Sequence, residues 1–159
     1  MSRRPTPLQR ALRQGRPFQS SAHEAIVGLL HTADLVRRRL AAVIEPAGIT
    51  VQQFNVLRIL RGAGDDGLPT LEVAARMIEQ TPGITRLLDR LEAKTFVRRQ
   101  RCPKDRRQHL CWITPIGRAL LEQLDGPVMQ VGETALAGLG AAERRRMIRT
   151  LDTVRAAPR

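Results

Sequence analysis

Apolar side chains recur along most of this sequence at the three- and four-residue spacing that is typical of amphipathic helices. The first long helix is predicted over 21–45, because Ser21 and Glu24 match a capping box and an apolar stripe follows them. Pro46 and Gly48 then interrupt the pattern, so the helix is expected to end there.

Two shorter helices are predicted next. The second helix opens at Thr50, which matches a capping box with Gln53, and it ends at the glycine-rich segment 62–67. Thr70 is predicted to cap a third helix over 71–78. A short helix is therefore predicted directly before residues 81–94.

The fourth predicted helix, over 81–94, has clearly separated apolar and polar faces. Thr81 followed by Pro82 matches an N-cap with proline at the first helical position. The apolar face holds Ile84, Leu87, Leu88 and Leu91. The polar face holds Gly83, Thr85, Arg86, Asp89 and Arg90. We expect the apolar face to pack on the domain and the polar face to stay exposed.

The pattern then changes to the shorter repeat of β-strands. Two strands are predicted over 96–102 and 108–114, and the loop 103–107 joins them into a hairpin. Between Phe96 and Thr114 the hairpin holds six cationic residues and one acid, so it is strongly basic.

Two helices are predicted after the hairpin and a basic arm before the first helix. Thr114 and Pro115 restart a helix towards Ala137, with a possible bend at its Gly-Pro pair, and a last amphipathic helix covers 141–156. The arm, 1–19, carries five arginines and no acid, which predicts a disordered segment. An arm that follows phosphates or crosses to a dimer partner is the alternative.

This order of elements predicts a mainly α protein with a small β-wing, an α+β fold. Two short helices joined by a tight turn and followed by a basic hairpin have the order of a winged helix-turn-helix. We expect this lobe to cover 50–114 within a single domain over 20–159. In such a lobe the later of the two helices, here 81–94, enters the major groove of DNA, and the hairpin contacts the backbone or the minor groove.

Composition narrows the class of partner. The net charge of +12 attracts polyanions, and nearly all of the cations are arginine, which suits bidentate contacts with phosphate and guanine. Aromatic residues make up only 3% of the chain, which disfavours binding of single strands because that requires stacking platforms. No apolar run approaches the roughly 20 residues of a membrane span, and no secretory signal is evident, so we expect a cytoplasmic protein.

Catalytic, metal and cofactor sites are not predicted. No phosphate-binding glycine loop, zinc-type spacing or nucleophile–base pair is present, so we expect neither an enzyme nor a bound cofactor. Cys102 and Cys111 are not expected to face each other across the hairpin, and both are expected to be reduced. His23 and His31 are too far apart along a helix to share one metal ion. Trp112 is expected to pack the wing against the domain.

The polar face of the fourth helix and the hairpin supply the candidate contacts with double-stranded DNA. Small residues at the start of the helix allow a close approach to base edges, and Arg86 and Arg90 lie one turn apart. Hairpin cations supply general attraction for phosphate. The candidates are Thr81, Gly83, Thr85, Arg86, Arg90, Arg101, Lys104, Asp105, Arg106 and Arg107.

Three segments resemble regulators of the MarR family: 48–60, 87–92 and 104–117. The third is the most specific, because the family's wing carries Asp-x-Arg and then a strand that ends in Leu/Ile-Thr-x-x-Gly. Here this pattern is Asp105, Arg107, Ile113, Thr114 and Gly117. The resemblance covers roughly 21–156.

The resemblance implies a homodimer on a pseudo-palindromic operator, with 20–46 and 115–157 as dimerisation helices. It implies that Arg107 enters the minor groove and that Asp105 orients Arg107 or pairs with Arg90. It also implies a repressor that leaves DNA when a small aromatic or phenolic ligand binds.

Three alternatives stay open at this point. The chain could respond to oxidation, it could act without an effector, or its winged helix could bind a protein or RNA. No position matches a ligand motif, so the residues that would bind an effector are not predicted.

Overall fold

The computed structural model describes residues 4–79, 83–103, 105 and 108–157. The chain forms two compact units, residues 1–39 and 40–159. The first holds a short helix and most of a long one, and the second holds the later helices together with a three-stranded antiparallel sheet.

The basic arm contains a short helix, α1 (Pro7–Ala11), where disorder is predicted. The Thr6 hydroxyl accepts a hydrogen bond from the backbone N–H of Gln9, and the Gln9 side chain accepts one from the N–H of Thr6. This capping box and the proline at the first helical position favour helix formation. The side chain of Gln9 also donates to the carbonyl of Arg16 at 3.1 Å, which holds the following turn.

Helix α2 (Ser21–Ile44) confirms the first long helix, but its cap is one residue earlier than predicted. The Ser20 hydroxyl accepts from the backbone N–H of His23 at 3.1 Å, so Ser20 is the capping residue and Ser21 is the first helical residue. A 3₁₀ turn (Glu45–Ala47) follows, and Gly48 ends it with a φ of 79°.

Helix α3 (Val51–Gly62) has the predicted start and end. The Thr50 hydroxyl accepts from the N–H of Gln53 at 3.2 Å, and the Gln53 side chain accepts from the N–H of Thr50 at 3.0 Å. This reciprocal pair confirms the second capping box. A second 3₁₀ turn (Gly64–Asp66) follows the helix.

Helix α4 (Thr70–Ala75) is shorter than predicted, and strand β1 (Leu68–Pro69) precedes it. Thr70 is the first helical residue and Pro69 holds the cap position. The Thr70 hydroxyl caps no backbone N–H of a described residue; it donates to the carbonyl of His109 at 3.4 Å and lies 3.6 Å from the sulfur of Cys111. The helix does not reach Ile78, whose backbone N–H donates to the Asn55 side chain at 3.0 Å.

Helix α5 (Ile84–Ala93) is followed by the predicted hairpin, strands β2 (Val97–Arg101) and β3 (His109–Ile113). The sheet order is β1-β3-β2, with both pairs antiparallel. The two-residue strand β1 was not predicted, because two residues are too few to show an alternating pattern.

Helices α6 (Pro115–Ala135) and α7 (Ala141–Arg155) close the chain. The Thr114 hydroxyl caps α6 by accepting from the N–H of Gly117 at 3.1 Å. Pro127 lies inside α6 without ending it.

The core of the second unit is formed by apolar residues from the end of α2 and from α3, α4, α5, the sheet and α6. Its fully buried side chains are Ile44, Val56, Leu57, Leu60, Val73, Leu88, Leu91, Val97, Cys111 and Leu121. An ion pair between Arg61 and Asp125, 2.7 Å long, joins α3 to α6 at the edge of this core. The hydrogen bond from Arg61 holds the pKa of Asp125 below its usual value.

Candidate nucleic-acid interface

Helix α5 separates buried from exposed side chains as predicted. Leu88 and Leu91 are fully buried and Leu87 is 8% exposed. Arg86 and Arg90 lie one turn apart on the exposed side, and neither forms an ion pair with another residue that the structure describes. Their guanidinium groups are therefore available to an anionic partner.

The helix begins later than predicted, at Ile84 instead of Pro82. Its N-cap is Gly83, whose φ of 106° lies in the left-handed region that favours glycine. Thr81 and Pro82, the predicted cap and first residue, lie outside the described residues. Gly83 and Thr85 are exposed, and a side chain at Gly83 would meet no atom within 4 Å. The start of the helix is therefore open to a close approach by a partner.

Strands β2 and β3 form the predicted basic hairpin. Arg101 is exposed at the end of β2 and lies opposite His109. The Asp105 carboxylate accepts from the side-chain amide of Gln108 at 2.9 Å, which stabilises the turn. The contacts of the other candidate cations stay predictions, because these residues lie outside the described part of the chain: Lys104, Arg106 and Arg107.

Arg99 joins β2 to α5, a connection that the sequence analysis missed. Its guanidinium contacts Glu92 at 2.6 Å and Asp89 at 2.5 Å, and its side chain is only 19% exposed. Although burial opposes the charge, the hydrogen bonds to Glu92 and Asp89 raise the pKa of Arg99. Strand alternation places Arg99 on the same side of β2 as the buried Val97, and a cation on an inward face requires a partner. That signal was available in the sequence.

Trp112 fastens the other side of the hairpin to the domain, which confirms its predicted packing role. The indole N–H donates to the carbonyl of Asp65 at 2.9 Å, and the guanidinium of Arg98 lies 4.2 Å from the ring centroid. A Cβ on Gly67 would lie 2.4 Å from the indole, so the loop approaches the ring closely. The base of the wing is thus held from both faces.

The two cysteines do not form a pair. In the observed register Cys111 lies opposite Arg99, and the N–H of Cys102 bonds to the carbonyl of Gln108. This confirms that the thiols are not cross-strand neighbours. Burial raises the pKa of the Cys111 thiol, whose reactivity is therefore reduced.

Two open cavities flank α5. The first, about 520 Å³, lies between the start of α3 and the end of α5. It is lined by Glu45, Gly48, Ile49, Thr50, Gln53, Arg90, Ala93 and Lys94. The second, about 590 Å³, lies on the wing side and is lined by Pro69, Thr70, Leu71, Thr85, Glu92, Arg99, Gln108 and His109. The ammonium of Lys94 in the first cavity donates to the carbonyl of Gly48.

Within the described ranges, no three His, Cys, Asp or Glu side chains lie close enough together to hold a metal ion. No helix in the described part of the chain has the length and apolar character of a membrane span.

The exposed charge on this side of the second unit is mainly positive. Arg86, Arg90 and Arg101 are exposed, whereas the nearby carboxylates of Asp89 and Glu92 are bound to Arg99. Guanidinium groups bind phosphate and guanine in a bidentate manner. The arrangement is therefore chemically suited to a nucleic acid.

Comparisons with known proteins agree with this geometry. The model of the MarR family matches residues 49–109. The HTH-type transcriptional regulator TtmR of Methylorubrum extorquens is 32% identical over 131 residues, which are 82% of this chain and 64% of TtmR. The chain thus spans less than two thirds of the length of that curated relative.

Two solved structures are similar over nearly their whole length. A MarR transcription factor from Planctomyces limnophilus is 36% identical with a TM-score of 0.60, and the match covers 86% of this chain and 99% of that one. BpsR of Bordetella bronchiseptica, whose DNA binding is regulated by 6-hydroxynicotinic acid, is 26% identical with a TM-score of 0.75, covering 90% of this chain and all of BpsR. TtmR is a transcriptional regulator and the Planctomyces protein is a transcription factor.

Proposed function

Because this chain belongs to the MarR family, we propose that it is a transcriptional regulator that binds double-stranded DNA. The observation that carries the proposal is the exposed face of α5, on which Arg86 and Arg90 form no ion pair with any described residue and lie opposite three buried leucines. A helix of this kind, held on a core and followed by a basic hairpin, has the order of elements that reads the major groove. A cytoplasmic location follows from the proposed target.

We propose that the chain acts as a homodimer on a pseudo-palindromic site, with 20–46 and 115–157 as dimerisation helices and 50–114 as the DNA-binding lobe. Exposed apolar side chains support this assignment, because they do not stabilise a monomer while they face solvent. On α2 they are Ile26, Leu29, Leu30 and Leu35, and on α7 they are Met147, Ile148 and Val154. Two α5 helices would then reach successive major grooves about one helical turn apart.

We propose that the protein is a repressor that leaves DNA when a small ligand binds. BpsR supports this form, since an aromatic acid regulates its DNA binding. A regulator without an effector, one that responds to oxidation, and a module for RNA or protein are the alternatives. Burial of Cys111, which raises the pKa of its thiol, argues against this cysteine as a redox sensor. A genomic pull-down that gives no short palindromic consensus would favour the protein or RNA module.

The DNA assignment predicts different effects for an α5 arginine and a wing arginine. Arg86→Ala should reduce the preference for the operator over random duplex by about 10- to 100-fold, because a bidentate contact with a base carries sequence information. Arg107→Ala should instead weaken both complexes by a similar factor and reduce the log–log salt slope by about 0.9. Affinities titrated with salt on both duplexes test this.

Wild-type protein is the reference for both variants, and unfolding curves show that each variant is folded. Unchanged affinity of both variants for both duplexes would overturn the assignment of this surface to DNA.

The cavity at the end of α5 is the better candidate for an anionic aromatic ligand. Its cations, Arg90 and Lys94, form no ion pair with described residues, and Glu45 is the one acid among its lining residues. The arginine of the wing-side cavity is already bound to Asp89 and Glu92, so an incoming carboxylate would have to displace one of them. A ligand bound to Arg90 would withdraw that side chain from DNA, and we expect the protein to leave DNA as a result.

Lys94→Gln should weaken the binding of an aromatic acid about tenfold, because it removes one of the two cations that would pair with the carboxylate. Calorimetric titration with 6-hydroxynicotinic acid and with benzoic acid measures the affinity. Arg149→Gln, which removes a cation that does not line this cavity, is the control. Equal affinity in wild type and Lys94→Gln would place the ligand elsewhere.

A further inference from the structure

We propose that Arg99 is a positioning residue, which fixes the wing on the DNA-facing helix and thereby sets DNA affinity without contacting DNA. The proposal rests on the proposed function, because it explains how the two DNA-facing elements are held together. It assigns a role to a residue whose charge alone suggests only attraction for phosphate.

The geometry shows that the guanidinium is occupied. Nε and Nη2 of Arg99 both donate to Oε2 of Glu92, at 2.9 and 2.6 Å, and the backbone N–H of Arg99 donates to Oε1 at 3.0 Å. Both oxygens of one α5 carboxylate are therefore bound to one residue of β2. With 19% of its side chain exposed, Arg99 is poorly placed to neutralise a phosphate.

A second carboxylate joins the cluster from the exposed face of α5. Asp89 accepts from Nη2 of Arg99 at 2.5 Å, and it lies between Arg86 and Arg90 in the sequence of that face. An unpaired carboxylate there would repel DNA phosphates. Arg99 thus holds Asp89 in an ion pair while it joins the strand to the helix.

The cluster of Arg99, Glu92 and Asp89 lies where a small movement of these side chains would move the wing. Arg99 is the middle residue of β2, and Arg101 ends the strand two residues later. Every residue of β2 pairs with one of β3, from Val97 opposite Ile113 to Arg101 opposite His109, so the hairpin moves as one piece. Losing the bond at Arg99 would loosen the hairpin from α5 on the face opposite Trp112.

Two variants that remove no positive charge test the role. Glu92→Gln raises the net charge by one, so charge alone predicts tighter DNA binding, whereas a positioning role predicts binding about tenfold weaker. Arg99→Lys keeps the charge but loses the planar fork that contacts both carboxylates, so it should also weaken binding severalfold. In Glu92→Gln the expected loss of DNA affinity is opposite to the effect of the added positive charge. In Arg99→Lys the charge is unchanged, so it cannot cause the loss of affinity.

Each variant has a matched control. Glu122→Gln removes the same charge from an exposed position on α6 that has no ion pair within the described part of the chain. Arg58→Lys makes the same exchange at an exposed position of α3 that is not among the candidate DNA contacts. Both controls should bind a duplex of mixed sequence within about twofold of wild type at one salt concentration.

Folding is followed separately by thermal unfolding and by the emission of Trp112, the one tryptophan of the chain. The glutamine in Glu92→Gln keeps an oxygen that accepts from the backbone N–H of Arg99, so this variant should fold even if Arg99→Lys does not. A loss of affinity in Glu92→Gln with unchanged unfolding supports the role.

Equal or tighter binding by a folded Glu92→Gln, or a loss that Glu122→Gln reproduces, would overturn the positioning role while leaving the proposed function intact. Wild-type protein that binds no duplex at all would overturn both.

Discussion

Gly117→Ala is expected to lower the free energy of unfolding by about 2 kcal/mol. A Cβ at this position would lie 2.4 Å from the carbonyl oxygen of Phe96 and 2.9 Å from a side-chain carbon of Ile113. The Phe96 carbonyl cannot move away easily, because it accepts the backbone N–H of Thr114 at 3.0 Å. Overpacking of this kind costs about 3 kcal/mol, and the helix preference of alanine returns about 1 kcal/mol.

Urea unfolding measures this change, and α6 supplies its own control. At Gly132 a Cβ would meet no atom within 4 Å outside the helix backbone, so Gly132→Ala should leave stability unchanged or raise it by up to about 1 kcal/mol. Equal unfolding midpoints for the two variants would show that the close approach to Phe96 does not constrain residue 117. The close approach of the Phe96 carbonyl also explains why residue 117 of the wing motif is glycine.

Ile148→Glu is expected to shift the protein towards monomer and to weaken operator binding by at least about 100-fold. Ile148 is 57% exposed on α7, where Met147 and Val154 are the other exposed apolar residues of the proposed dimer face. A carboxylate in an apolar interface has no partner and loses its hydration, which costs several kcal/mol. A monomer reads one half-site instead of two, so its operator affinity falls with dimerisation. Sedimentation and operator titration measure the two effects.

Thr153→Glu places the same charge on the opposite side of the same helix. Thr153 is exposed, and its hydroxyl bonds back to the carbonyl of Arg149 within α7. This control should stay dimeric and bind the operator nearly as well as wild type. A dimeric Ile148→Glu with full operator affinity would exclude this face of α7 from the interface.

Elements with a strong periodic pattern could be predicted from the sequence, and local exceptions could not. The leucines of α5 and the capping box of Thr50 and Gln53 depend on neighbours within one or two turns, so their spacing is visible in the chain. Thr70 looks like a cap by type, but its hydroxyl lies against Cys111, which is 41 residues away. A contact over that distance leaves no local pattern.

The same difference separates the predicted from the missed parts of the site. Arg86 and Arg90 were found because they stand on the polar side of one helix. The bonds of Arg99 to Glu92 and Asp89 cross from a strand to a helix, which the third- and fourth-neighbour rules for helices do not reach. Strand alternation indicates that Arg99 faces inwards, but it does not indicate which residues Arg99 pairs with. Charge counting therefore places Arg99 among the phosphate-attracting cations, although its partners are inside the protein.

Strand β2 has a further consequence for how the protein behaves at high concentration. It is an edge strand of the sheet, and three of its five residues are arginines. An open edge is the usual template for pairing between copies of a chain and for aggregation, and rows of like charge prevent that approach. The two exposed arginines of this strand, Arg98 and Arg101, therefore keep two wings from joining into an intermolecular sheet while no DNA is bound.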